Sequence, residues 1–238
     1  MDRNRWIIFI ALCLAVFGIL IFNKKSDTVD VSVTDPQKVI TKPQDKNAID
    51  DHVFGAPSQK VVLMEYGDFQ CPGCGAAFPK LKAIKEHYKD QLTFVFRHFP
   101  LTSIHPNALV AASAAESAGL QGKFWEYHDK LYESQNEWSG LDPDKRTETF
   151  ISYANELGLN EAEYKKHLED RRVKTKVKKD QALGKKQNVQ ATPTVILNGT
   201  TIQTSQLNTQ KSIENLVRDA IKQSGQTLPD EIPEETAS

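Results

Sequence analysis

Two cysteines separated by two residues, Cys71-Pro72-Gly73-Cys74, constrain this chain more than any other feature. They stand where an apolar strand pattern, Val61-Val62-Leu63-Met64-Glu65-Tyr66, gives way to a helical one. If the helix begins at the first cysteine, the spacing puts both sulfurs on one face, one turn apart. That meets the Cα separation of roughly 4.4–6.8 Å a disulfide needs. A helix N-terminus carries about half a positive charge and unpaired N–H groups, and both favour a thiolate at Cys71. Thiolate is the reactive form, and in such motifs its pKa falls to about 3.5–7.5. The pair reads as a centre for thiol–disulfide exchange. The alternatives are an inert disulfide or half of a zinc site. Zinc asks for four ligands. The third cysteine, Cys13, lies in an N-terminal apolar run and the six histidines are scattered, so no metal is expected.

The 238 residues carry 30 basic and 31 acidic side chains, a balance that gives no support to nucleic-acid binding. Trp6 to Phe22 are 17 unbroken apolar residues, with Arg3 and Arg5 before them and Lys24 and Lys25 after. As a helix they span about 25 Å, slightly under a bilayer core, with the flanking cations able to snorkel. No small-residue cleavage site follows, so residues 1–25 are expected to form an uncleaved single-pass anchor. Residues 26–50 are polar and aperiodic and are expected to be a flexible tether. Residues 51–224 form one domain, and the acidic tail 225–238 is expected to lack structure.

Within that domain the fold class is α/β. Val61 to Met64 read as a strand buried on both faces. A helix opens at Pro72, with Phe78, Leu81, Ile84 and Tyr88 at helical spacing and a kink expected at Pro79. Leu92 to Phe96 are a second strand, so a β-α-β unit opens the domain. A helical block follows from about Asn107 to Lys186, with helix-start signals at Asp142-Pro143 and Asn160. Thr194 to Leu197, the Asn198-Gly199 turn and Thr200 to Ile202 form a hairpin. A last helix runs from Lys211 to Gln223. The order predicts a mixed sheet with helices on both faces.

This order, with the cysteine pair after the first buried strand, resembles the thioredoxin fold. The helical block between its halves resembles the DsbA type of thiol–disulfide oxidoreductase. The residues that carry the resemblance are Glu65-Tyr66-Gly67-Asp68-Phe69-Gln70-Cys71-Pro72-Gly73-Cys74, Phe96-Arg97-His98-Phe99-Pro100-Leu101, His105-Pro106-Asn107-Ala108 and Ala191-Thr192-Pro193-Thr194. It implies that Cys71 is the nucleophile and Cys74 resolves the mixed disulfide. It implies a cis proline at Pro193, after Thr192, that binds substrate backbone. Glu65 matches a buried carboxylate able to relay the proton of Cys74, and Phe69, Pro72 and Gly73 are expected at the substrate rim. Gly73 is a departure, since strongly oxidising members have a histidine there, and the thiolate here is expected to be less stabilised.

The resemblance implies a monomeric membrane-bound oxidase of exported proteins, with its catalytic domain outside the cytoplasm and a membrane redox partner to reoxidise it. No dissociable cofactor is implied. A reductase or isomerase is the first rival, and a noncatalytic tethered or metal-binding module is the second. His98 and His105 are expected to be structural, Trp125 and Tyr132 to be core residues, and Lys165 to Lys186 to be a solvated helix face.

Overall fold

The computed structural model describes Trp6, Phe9, Ile10, Leu12 and Cys13, and residues 29–41, 48–56 and 60–233. Most of the expected membrane anchor lies outside these residues. Among the described residues, no helix is long and apolar enough to cross a membrane.

Five strands make one mixed sheet: β1 His52–Phe54, β2 Val61–Gly67, β3 Leu92–His98, β4 Thr194–Leu197 and β5 Thr200–Thr201, in the spatial order β1-β3-β2-β4-β5. β2 and β3 run parallel and are joined through α1 (Pro72–His87), as the β-α-β pattern predicts. β4 runs antiparallel to β2, with Glu65 opposite Val195. The turn to β5 has Asn198 at φ 46° and Gly199 at φ 83°, the pair of left-handed residues that an Asn-Gly hairpin supplies. β1 pairs antiparallel with β3 and was not read from the sequence. Its three half-buried residues are too few to show a period of two.

The pleat of β2 divides the core. Val61 and Leu63 face α1 and α8 (Gln210–Gln223), within one large apolar cluster. Met64 and Tyr66 face the opposite side, packed with Val95, Phe99, Val189 and Ile196. Alternation therefore sends Glu65 toward α1, and its side chain is buried there. α1 runs on through Pro79.

Between β3 and β4 lie α2 (Ala108–Gly119), α3 (Phe124–Glu133), α4 (Gln135–Trp138), α5 (Pro143–Glu156), α6 (Glu161–Leu168) and α7 (Arg171–Lys186). The charged stretch expected as one solvated face is two helices. Asp170 caps α7 by accepting from the Arg172 N–H at 2.8 Å. Lys176 and Asp180 of α7 are buried, not solvated. Lys176 Nζ lies 2.7 Å from Asp180 and 3.3 Å from Asp51. Asp51 in turn receives Arg97 Nη2 at 2.7 Å and Nε at 3.2 Å. The two cations hold the Asp51 carboxyl below its ordinary range against the opposing effect of its burial.

Two segments expected to be loose are docked. Arg97 donates to the carbonyls of Pro36 and Lys38 at 2.5 and 2.7 Å, and Lys186 donates to those of Val31, Ser32 and Thr34. The tether expected at 26–50 is thus pinned over 31–38 by cations that satisfy its backbone. Residues 226–233 lie along α8, with Leu228 and Ile232 against the core and the Ile232 N–H donating to Glu214 at 2.7 Å. Two apolar side chains at a spacing of four are enough to seat a segment that its prolines and acids marked as disordered.

Removing Asp51 would leave Arg97 and Lys176 buried without their shared counterion. Asp51→Ala is expected to cost about 3–5 kcal/mol in urea denaturation at pH 7. Lys174→Ala, half-exposed on α7, is expected to cost under about 0.5 kcal/mol.

Candidate active site

α1 is built to stabilise negative charge at its first residue. Cys71 is the N-cap, with extended backbone, and its carbonyl accepts the first helical bond from Gly75 N–H at 3.1 Å. Pro72 stands at the first helical position, where a missing N–H costs nothing. No acid occupies the first turn and no side chain caps it, so its free N–H groups face the Cys71 sulfur.

Both cysteines carry free sulfurs. Cys71 is 8% exposed and Cys74 is 0% exposed. As a thiol, Cys71 donates to the Thr192 carbonyl at 3.3 Å. As a thiolate it gains donors: the Cys74 S–H above all, then the Thr192 hydroxyl and the N–H groups of Cys74 and Gly73. These hold its pKa at about 5, against the effect of partial burial. Burial pushes the Cys74 thiol well above its ordinary value, and the neighbouring Cys71 and Glu65 add to the shift. The Asp68 N–H lies 3.5 Å from Cys74 Sγ.

Glu65 sits beneath the pair. Burial pushes its carboxyl up to about 8, with Lys85 opposing and Cys71 adding. Its Oε1 is buried without a hydrogen-bond partner. Lys85 is itself buried, 3.1 Å from Asp129 and 4.4 Å from the Trp125 ring centroid. Glu65 thus holds its proton near neutral pH.

The loop before β4 closes the site from the other side. The Thr192–Pro193 peptide bond is cis. A Cβ at Gly73 would stand 3.3 Å from Pro193 Cδ and 3.6 Å from Cys71 Sγ. Cys71, Cys74, Glu65, Gly73, Thr192 and Pro193 therefore meet in one place, and Pro72 is exposed on its rim. Phe69 does not belong to the rim. It is 1% exposed and packs among Phe96, Tyr132, His98 and His128, because the turn after β2 points it into the aromatic core.

Asp68, Gln70 and Gln135, which the sequence left without a role, hold the loop together with His105, expected to be structural. Asp68 accepts from Gln70 N–H at 2.8 Å, Leu101 N–H at 2.9 Å and His105 Nδ1 at 2.7 Å. Gln70 joins the Asn107 N–H to the Ser139 carbonyl. Gln135 donates through Nε2 to the carbonyls of Phe69 and Cys71 at 2.7 and 2.9 Å. The helical block thus reaches the cysteine loop through α4. Only the placement of Asp68, Gln70 and His105 inside the resembling motifs hinted at this; Gln135 gave no signal.

Among the described residues, one group has metal-ligand spacing: buried His98, Glu116 and Asp180. Its carboxylates are met by protein groups, Lys176 on Asp180 and both His52 and His98 on Glu116 Oε1.

Comparison with known proteins agrees with this geometry. A thioredoxin family model matches residues 47–219. Among curated relatives, a Na(+)/H(+) antiporter NhaA of Salinispora arenicola is 40% identical over 149 residues, which are 63% of this chain and 22% of that protein. One of Mycolicibacterium vanbaalenii is 37% identical over 153 residues, 63% of this chain and 23% of that protein. The chain thus matches less than a quarter of the length of these relatives. Among solved structures, oxidised BdbD from Bacillus subtilis superposes with a TM-score of 0.60 at 24% identity, covering 78% of this chain and 98% of that one. Alpha-DsbA1 from Wolbachia pipientis gives 0.62 at 21% identity, covering 80% and 98%. By its sheet, its cysteine-bearing helix and the family match over most of its length, the chain belongs to the thioredoxin family.

Proposed function

We propose that this protein is a DsbA-type thiol–disulfide oxidoreductase that introduces disulfides into exported proteins. The observation that carries the reading is the asymmetry of the pair: a sulfur at the helix start, stabilised as thiolate and retaining slight exposure, beside a sealed sulfur that resists ionisation. In the oxidised protein a substrate thiolate attacks Cys71 Sγ, the less buried of the two sulfurs. The Cys71–Cys74 bond breaks and its electron pair goes to Cys74 Sγ. That buried sulfur needs a proton, and Glu65 is the acid beside it. A second substrate thiolate then attacks the substrate sulfur of the mixed disulfide, and Cys71 leaves as the stabilised thiolate. The substrate gains a disulfide and the pair is left reduced.

Stabilising the reduced form makes the disulfide the stronger oxidant. Each unit by which the thiolate pKa is depressed below ambient pH is worth about 1.4 kcal/mol, or roughly 30 mV for a two-electron couple. The donors at Cys71 come from the helix start, from Cys74 and from Thr192, so the site stabilises a thiolate without a histidine at position 73. This favours oxidase over reductase. The rim around Pro72, Gly73 and Pro193 would take an extended substrate segment. The 17 apolar residues from Trp6 suit an N-terminal membrane anchor with the domain extracytoplasmic, acting as a monomer and reoxidised by a membrane redox partner.

Equilibrium titration against glutathione is expected to place the potential well above the −270 mV or so of a reducing thioredoxin; a value near that figure would assign the protein to the reductases. Cys74→Ala is expected to accumulate mixed disulfides with exported proteins through Cys71, visible on non-reducing gels, and their absence would count against exchange. Gly73→His sets an imidazole over Cys71 Sγ, and the potential is expected to rise by tens of millivolts. An unchanged potential would contradict the electrostatic account of the thiolate.

A further inference from the structure

α7 has two unlike sides. Val173, Val177, Leu183 and the Lys176–Asp180 pair are buried against the domain. Arg171, Arg172, Lys174, Lys178, Lys185 and Lys186 are exposed. At 3.6 residues per turn these six cations share one arc of about 160°, and the buried residues fill the arc opposite. The helix carries one acid, Asp180, and it lies on the buried side. Asp170, Glu169 and Asp30 offset part of the outer charge at Arg172, Lys174 and Lys186. The outer face keeps an excess of positive charge along its whole length.

The N-terminal segment reaches the domain on this same side. Lys186 lies within the cationic arc, and its Nζ donates to the carbonyls of Val31, Ser32 and Thr34 at 3.1, 2.7 and 2.9 Å. Val31 follows Phe22, the last residue of the apolar run, by nine positions. Nine residues reach at most about 30 Å. A bilayer-spanning run at 6–22 would therefore keep the end of α7 within about that distance of the headgroups. Attraction between exposed charges fades over a Debye length of about 8 Å at physiological salt. A leash this short confines the face to a thin layer above the surface, where a weak attraction is raised by effective concentration.

We propose that the outer face of α7 docks the domain on the anionic lipid headgroups of the membrane that anchors it. A cleft beside Ile49 adds to the fit. It is lined by Arg171, Arg172, Thr175 and Lys179, with Asp170 engaged by Arg172 at 2.6 Å. Cations and a hydroxyl grouped in this way suit a phosphodiester. The apolar run and the basic face then act as two attachments on one short leash, and the domain is held with α7 toward the bilayer. The inference rests on the membrane-anchor reading above and is independent of the exchange chemistry.

The test is lysine acetylation by a membrane-impermeant reagent, read residue by residue by mass spectrometry. The full chain is reconstituted into vesicles of phosphatidylcholine alone, or of phosphatidylcholine with about one-third phosphatidylglycerol. Labelling of Lys174, Lys178 and Lys185 is expected to fall roughly threefold or more in the anionic vesicles, and to recover in about 0.5 M sodium chloride. Lys89 after α1 and Lys222 on α8 lie across the sheet from α7, whose Gly184 packs on Tyr66 and Phe99; they should label equally in both. With Lys174→Glu and Lys185→Glu combined, protection of Lys178 should be lost while reactivity with glutathione stays unchanged. Equal labelling of the α7 lysines in the two vesicles would overturn the proposal, as would protection that survives high salt or extends equally to Lys89 and Lys222. Failure of the anchor reading looks different: high salt would release the native chain from phosphatidylcholine vesicles, and the docking proposal would fall with it.

Discussion

The structure turns on an electrostatic inequality between two sulfurs one helical turn apart. Cys71 sits at the positive end of α1 with hydrogen-bond donors around it, and Cys74 sits one turn inside with no exposure. The same helix start that favours charge on one sulfur buries the other where charge is costly. In the proposed exchange, attack falls on the less buried sulfur, and the return of the electrons to the hidden one calls for a proton. Glu65, on β2, is set by burial to keep its carboxyl protonated near neutral pH. Each part depends on the others, because an ionised Glu65 would add to the cost of charge on Cys74.

The rest of the fold serves to hold this geometry. Glu65 can reach the pair only because β2 is central, paired on one side with β3 and on the other with β4. β4 also carries the loop that brings Thr192 and Pro193 to Cys71. The helical block adds a second set of restraints through Gln135, Gln70 and Asn107. On the opposite face of the sheet, Asp51, Arg97, Lys176 and Asp180 form a buried ionic cluster that joins the N-terminal segment to β3 and α7. Such clusters add little net stability over an apolar core, yet they penalise misplacement of any member. Here that fixes where residues 31–38 leave the domain.

Much of this was legible in the sequence where local chemistry is specific. Cys71 to Cys74 after an apolar run, Asp142-Pro143 before α5 and Asn198-Gly199 at the hairpin each name a backbone geometry that few other residues supply. The core of the site was legible for the same reason. What stayed hidden depended on tertiary context. β1 is three residues long. Lys176 and Asp180 read as solvated because burial of a charge depends on a partner far along the chain, in this case Asp51. Phe69 was placed on the rim by its position beside Cys71, whereas the pleat and turn send it inward. Gln135 gave no signal because its role rests on contacts 64 and 66 residues away.

The inequality between the sulfurs is tested most directly by the pH dependence of iodoacetamide labelling of the reduced protein, with each cysteine resolved by mass spectrometry. The account predicts that Cys71 labels with a midpoint near pH 5 and Cys74 stays unlabelled through neutral pH. Both cysteines labelling with a common midpoint near that of a free thiol, about 8.5, would contradict it.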